Sequence, residues 1–183
     1  MEFVSTPISD LWVIKPKIWE DARGYFFESF NARSFEQAGQ SYHWVQDNEA
    51  KSGRGVTRGL HYQCGPHAQA KLVRVITGKV LDVAVDLRPR SATFGHSFTL
   101  ELSGENKRQL LIPRGFAHGY QVLEPDTVFA YKCDNFYHPP SEGGIIPDDP
   151  ELDIPWILPR DEWVLSAKDA ALPLFDNHRP VDL

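Results

Sequence analysis

Leu81, Val83, Val85 and Leu87 alternate with Asp82, Ala84 and Asp86, a period of two that a helix cannot present as one apolar face and a half-buried strand can. Phe98, Leu100 and Leu102 alternate in the same way with Thr99 and Glu101. Between such runs, 13 glycines and 14 prolines punctuate 183 residues, so the chain reads as short strands separated by turns. Further strands are expected over residues 12–16, 24–30, 44–49, 71–77, 109–112 and 127–133. Helix signals are local. Asn31 is placed to cap a short helix that passes Phe35 and Glu36 and stops at Gly39, and Ser166 to cap another near Asp169. With no alternation of strands and helices, the expected class is all-β: a sandwich, jelly roll or barrel with a few short peripheral helices. The proline- and acid-rich stretch 147–159 reads as a surface crossing. No repeat, low-complexity tract or linker divides the chain, so residues 1–183 are expected to form a single domain.

Composition removes several classes of function. A 42% hydrophobic content supports a core without disulfides or metals. Lysine and arginine number 19 against 25 acidic residues, a net charge of -6, which argues against a broad basic face for nucleic acid. No apolar run approaches the roughly 18 residues of a membrane span, and the amino terminus lacks the basic and apolar regions of a signal peptide. The expectation is a cytoplasmic protein without nucleic-acid or membrane partners. Cys64 and Cys133 form no CxxC pair and read as two free thiols.

Familiar catalytic motifs fail. GRGVTRG at residues 53–59 places its last glycine one residue late for a dinucleotide fingerprint, and no helix is expected after it. A Walker loop, a nucleophile elbow and HExxH are all absent from the sequence. Three segments instead combine reactive side chains with turn residues: TRGLHYQ at 57–63 with the following KLVR at 71–74, IPRGFAHGY at 112–120, and YKCDNFYH at 131–138 with Glu142 and Gly143 after it. Taken singly, their residues have ordinary readings. His61 sits in a strand-like run, where histidine is commonly a hydrogen-bonded core residue. Lys71 shares strand parity with Val73 and Val75 and points either to a rim or into a polar cavity. Tyr131 shares parity with Phe129 and Cys133, as a core tyrosine does. Asp169, three residues after Ser166, fits a capping box. Arg23 and Arg58 read as solvated charges and Tyr137 as an exposed aromatic.

Together, these segments closely resemble the dTDP-4-dehydrorhamnose 3,5-epimerase family. The likeness extends from DARGYFFE at 21–28 through VQDN at 45–48 to LSAKD at 165–169. It implies a cupin-like jelly roll, a homodimer, a dTDP-4-keto-6-deoxy sugar substrate, and epimerisation at carbons 3 and 5 in dTDP-L-rhamnose synthesis, with no cofactor. By the same resemblance His61 is the general base, Asp169 its orienting carboxylate, Lys71 the stabiliser of the enolate oxygen and Tyr131 the acid. Arg23 and Arg58 correspond to pyrophosphate-binding arginines. Phe26, Glu28, Gln46, Asn48, His118 and Tyr137 correspond to residues around nucleotide and sugar. Members of the family can pass the amino-terminal strand to the partner subunit. The sequence does not assign a role to His67 or separate double from single-carbon epimerases.

The rival from another class is a metal-dependent cupin oxygenase or isomerase. PRGFAH at 113–118 fits the second cupin motif and makes His118 resemble a ligand. The first motif requires HxH, and this chain has His61, Tyr62 and Gln63, which leaves a facial ligand set incomplete. No catalytic metal is expected. A non-catalytic carbohydrate-binding cupin would not need the set of base, acid and enolate stabiliser.

Overall fold

The computed structural model describes residues 1–182. In chain order the strands are β1 (Glu2–Ser5), β2 (Trp12–Lys15), β3 (Trp19–Asp21), β4 (Gly24–Phe26), β5 (Gln46–Ser52), β6 (Thr57–Gln63), β7 (Lys71–Thr77), β8 (Lys79–Asp86), β9 (Ser97–Ser103), β10 (Gln109–Ile112), β11 (Phe116–Val122), β12 (Thr127–Cys133) and β13 (Glu142–Gly144). Helix α1 (Ala32–Gln37) precedes β5, and α2 (Ala167–Ala170) lies near the carboxy terminus. Asn31 caps α1 by accepting from the amides of Arg33 and Ser34. The expected strand over 24–30 is shorter, because Asn31 and Glu28 are engaged at the entry to α1, where the Asn31 amide donates to Glu28 Oε1 at 2.9 Å. The strand expected at 44–49 begins later and runs to Ser52, where β12 gives it a partner through the Thr127↔Ser52 pair.

Two antiparallel sheets face each other as a jelly roll. One has the order β1-β2-β10-β7-β12-β5 and the other β13-β6-β11-β8-β9; β3 and β4 form a separate hairpin. Between the sheets, Val73, Leu110 and Phe129 pack on Val80, Leu102 and Val122. Each such buried side chain contributes roughly 1.5–3 kcal/mol.

The half-buried reading of β8 is corrected: both of its faces are covered. Leu81, Val83 and Val85 turn away from the space between the sheets and join a second core with Leu152, Ile154 and Phe175 from the carboxy-terminal segment. Stretch 147–159 is therefore partly a lid over the five-stranded sheet and not a plain surface crossing. The alternate residues of β8 face the sandwich interior, so Asp82 and Asp86 are fully buried. Asp86 is satisfied by Arg88 at 2.8 Å, Ser91 at 2.6 Å and Thr93 at 2.7 Å.

The irregularity that matters for the site lies where β6 pairs with β11. His61 is opposite His118 and Arg58 is opposite Tyr120, with a register slip between them. Three steps on β6 match two on β11, so Arg58 and His61 fall on the same side although an odd separation would separate them in a regular strand. Gly59, at φ 118°, absorbs the slip. A Cβ there would stand 2.7 Å from Gly119 Cα and 2.9 Å from the His118 carbonyl oxygen, both backbone atoms. Gly59→Ala is expected to destabilise the protein by roughly 2 kcal/mol or more, read as a lowered denaturant midpoint. An unchanged midpoint would show that the β6/β11 approach does not require glycine.

Candidate active site

At one end of the sandwich the two sheets part around a cleft of about 330 Å³, within the range of small-ligand sites. One wall is β6 of the five-stranded sheet, which presents His61 and Gln63. The other is the six-stranded sheet, where Lys71 on β7, Tyr131 on β12 and Asn48 on β5 face the same space. The alternation of β6 sends Leu60 and Tyr62 into the outer core and thereby turns His61 inward. Tyr131 pairs with Val73, so Lys71, two residues from Val73, shares its face.

The His61 ring donates from Nε2 to Asp169 Oδ1 at 2.6 Å, which leaves the lone pair on Nδ1 as the basic site of the neutral ring. Asp169 has two roles at once. Its amide donates to the Ser166 hydroxyl at 3.0 Å, closing the start of α2, while its carboxylate turns to His61 and does not complete a capping box. Burial works to raise the Asp169 carboxyl, but the hydrogen bond and charge of His61 outweigh it, and the net pKa lies below the ordinary carboxylate value. Burial lowers the pKa of the Lys71 ammonium, with Cys133, Asp82 and Glu142 opposing; its Nζ stands 3.5 Å from the His61 carbonyl oxygen. Burial, with a smaller effect of Cys133, raises the Tyr131 phenol against the pull of Arg58. The resting hydroxyl therefore carries its proton. The Cys133 thiol is pushed up to about 11, chiefly by burial.

Gln46, Asn48 and Tyr137 also line the cleft. Gln46 donates to Asn48 at 3.0 Å and accepts from the Tyr137 amide at 3.1 Å, so the three residues are joined along the wall. Arg58 is held beside Ser52 at 3.4 Å and acts electrostatically on Tyr131. His118 does not line the cleft. It is buried on β11 beside His61, on the interior face of the same sheet, and donates to Asp82 Oδ2 at 3.0 Å, while burial lowers its pKa. Asp82 Oδ1 finds no partner among the described residues.

Arg23, Phe26 and Glu28 are not brought to the cleft of their own chain. Arg23 is 90% exposed and among the described residues pairs only with Asp21, Phe26 is 67% exposed beside Trp19, and Glu28 serves the Asn31 cap. Conversely, the cleft contains Gln63 and Glu142, to which sequence reading assigned no role. Where a metal cupin would place its second histidine, Gln63 instead donates to the backbone of His67 at 2.6 Å and Phe136 at 3.2 Å and accepts from the His138 amide at 2.7 Å. His67 stacks on His138 with ring centroids 3.6 Å apart. Among the described residues, no group of three His, Cys, Asp or Glu side chains is placed to hold a metal, and no helix is long and apolar enough to cross a membrane.

Residues 5–177 match the model of the dTDP-4-dehydrorhamnose 3,5-epimerase family. The chain is 49% identical over 181 residues to the dTDP-4-dehydrorhamnose 3,5-epimerase of Salmonella typhimurium, covering 97% of each protein. It superposes on the crystal structure of the enzyme of that name from Elizabethkingia anophelis with a TM-score of 0.93 and 52% identity, covering 97% of both chains. It also superposes on the dTDP-6-deoxy-D-glucose-3,5-epimerase of Legionella pneumophila in complex with dTDP-4-keto-L-rhamnose, with a TM-score of 0.94, 48% identity, and 100% and 98% coverage of the two chains.

Because the folded-state pKa of Asp169 is depressed, the stabilisation it provides is complete above the unfolded carboxylate value and is lost as pH falls through the folded one. Asp169→Asn keeps the backbone cap and removes the charge. It is expected to cost about 1–2 kcal/mol at neutral pH, with the difference from wild type shrinking below about pH 4. Denaturant titrations at both pH values measure this; an equal deficit at each would show that the charge is not what His61 requires.

Proposed function

The chain belongs to the dTDP-4-dehydrorhamnose 3,5-epimerase family, and on that premise we propose that its cleft inverts the two carbons flanking the ketone of a dTDP-4-keto-6-deoxyglucose. The product is dTDP-4-dehydro-L-rhamnose, made on the way to dTDP-L-rhamnose. The observation that carries this reading is the division of labour between two walls: a His–Asp pair on one sheet faces a tyrosine and a lysine on the other.

In this reading His61 takes the proton from the carbon beside the ketone through Nδ1. The C–H electron pair moves into the C–C bond and the carbonyl pair onto oxygen, producing an enolate and an imidazolium. Asp169 stabilises the imidazolium and holds the tautomer. Lys71 supplies positive charge where the enolate oxygen develops, an effect typically worth roughly 3–4 kcal/mol for one such donor. Tyr131 then gives its phenolic proton to the carbon from the other wall, the carbonyl re-forms, and exchange with water restores both groups. The ketone already present acidifies both neighbouring C–H bonds, so the chemistry is acid-base throughout and calls for neither cofactor nor metal. The Tyr131 phenol, raised above its ordinary value by burial, holds a proton in the resting site, which a proton donor needs.

Arg58 grips the pyrophosphate, Tyr137 offers an aromatic face to the thymine, Gln46 and Asn48 hydrogen-bond the nucleotide or sugar, and His118 supports the pocket from β11, beside His61. Arg23, Phe26 and Glu28 act in the cleft of a second copy. Support for this homodimer is the hairpin of β3 and β4, which leaves Trp19, Tyr25 and Phe26 46%, 56% and 67% exposed, an apolar surface that a partner would cover. The protein acts as one cupin-like domain in the cytoplasm, with no nucleic acid or membrane as partner.

Turnover of a dTDP-4-keto-6-deoxyglucose in deuterated water is expected to place label at both carbons flanking the ketone. Tyr131→Phe should retain exchange while inversion falls by about 10²-fold or more, and His61→Ala should lose both. Label at one carbon only would identify a single-carbon epimerase, and inversion by Tyr131→Phe at the wild-type rate would remove Tyr131 as the acid. Co-expressed Arg23→Ala and His61→Ala chains should regain about a quarter of wild-type activity, because half of randomly paired dimers then contain one complete site. No recovery would show that each cleft uses its own Arg23.

A further inference from the structure

Glu142 opens β13 and pairs with Gln63 on β6, while Gly144 pairs with His61. It therefore shares a face with Gln63 and His61 and reaches the cleft. Its carboxylate is bound from two directions. The Tyr137 hydroxyl donates to Oε2 at 2.9 Å, and the Lys168 ammonium donates to both oxygens at 2.7 Å. Lys168 adjoins Asp169 on α2, and Asp169 holds the His61 ring. Tyr137 is largely exposed and the Lys168 side chain is 56% exposed, while the Glu142 side chain between them is only 19% exposed, so the carboxylate is the sheltered centre of the bridge. An unbroken chain of contacts thus runs from the cleft rim, through Glu142, to the helix that orients the base.

We propose that Glu142 is a positioning residue for the proton transfer, a carboxylate that locks both Tyr137 and the helix carrying Asp169 to the wall on which His61 stands. The inference rests on the functional reading above and deepens it. A short helix of four residues has little intrinsic stability, so the placement of Asp169 depends on such tethers. Glu142 also adds a second negative charge on the side where the imidazolium forms. Lys168 moderates that charge and, by pairing with it, stays at the cleft edge.

The charged and titratable groups around His61 among the described residues are Asp169 and Lys168 on α2, Glu142 on β13, Lys71 on β7, Tyr131 and Cys133 on β12, His118 on β11, Tyr137 after β12 and Arg179 in the terminal segment. Within this set, removing the Glu142 charge disfavours the imidazolium and lowers the pH at which His61 titrates. Removing the Lys168 charge favours it and raises that pH. The opposite signs separate an electrostatic positioning role from loosening of the fold, which would move both in one direction or neither.

The test is NMR titration of the His61 ring in the resting protein, together with kcat and KM for the dTDP-4-keto sugar, in Glu142→Gln and Lys168→Met. Glu142→Gln is expected to lower kcat by about tenfold, a fraction of what general-base catalysis supplies, with a smaller change in KM and a lower His61 midpoint. Lys168→Met is expected to raise the midpoint, and it tests the same bridge should Glu142→Gln not fold. Unchanged kcat and midpoint in folded Glu142→Gln, or shifts of the same sign in both variants, would overturn the proposal. If wild type turns over no 4-keto nucleotide sugar, the functional reading fails, while the two titrations still report whether Glu142 and Lys168 act on His61.

Discussion

The close approach of β6 to β11 is the contact on which the cleft depends. Two glycines, Gly59 and Gly119, bring the backbones together at the slip, and a Cβ on Gly59 would meet backbone that cannot swing aside. A register slip in a half-buried strand would normally send alternate residues to the wrong face. Here it turns Arg58 and His61 to the same face of β6, so a cation and a base that strand alternation would separate lie on one side of the sheet.

The carboxy-terminal segment completes what β6 begins. Leu152, Ile154 and Phe175 cover the outer face of the five-stranded sheet, burying β8 on both sides. The same segment places α2 against β6, so that Asp169 reaches His61. Packing and catalysis are thus coupled: the residues that seal the outer core also bring the carboxylate to the base. The cost of burying the Asp169 carboxylate is outweighed by the hydrogen bond and charge of His61.

Electrostatics divides the cleft by role. The same desolvation that raises the Tyr131 phenol and the Cys133 thiol lowers the Lys71 ammonium, since a drier site disfavours whichever form is charged. It leaves the phenol protonated, as a proton donor requires, and makes a positive charge at Lys71 more effective where it is retained, because less water screens it.

Strand alternation at 98–102, the turn residues and the caps at Asn31 and Ser166 were legible in the sequence, because local periodicity and capping chemistry are properties of neighbouring residues. The ordered segments around His61, Lys71, Tyr131 and Asp169 also identified the family. The same alternation misled at β8, where Leu81, Val83 and Val85 face an outer core and Asp82 faces the interior: a period of two states that there are two faces and says nothing of what covers each. The slip at Gly59, the burial of His118 against Asp82, the diversion of Gln63 to loop backbones and the bridge through Glu142 arose only in three dimensions. Each joins residues from strands or segments distant in sequence, and which of them meet is set by sheet register and by the path of the terminal segment, neither of which is encoded in any short run of the chain.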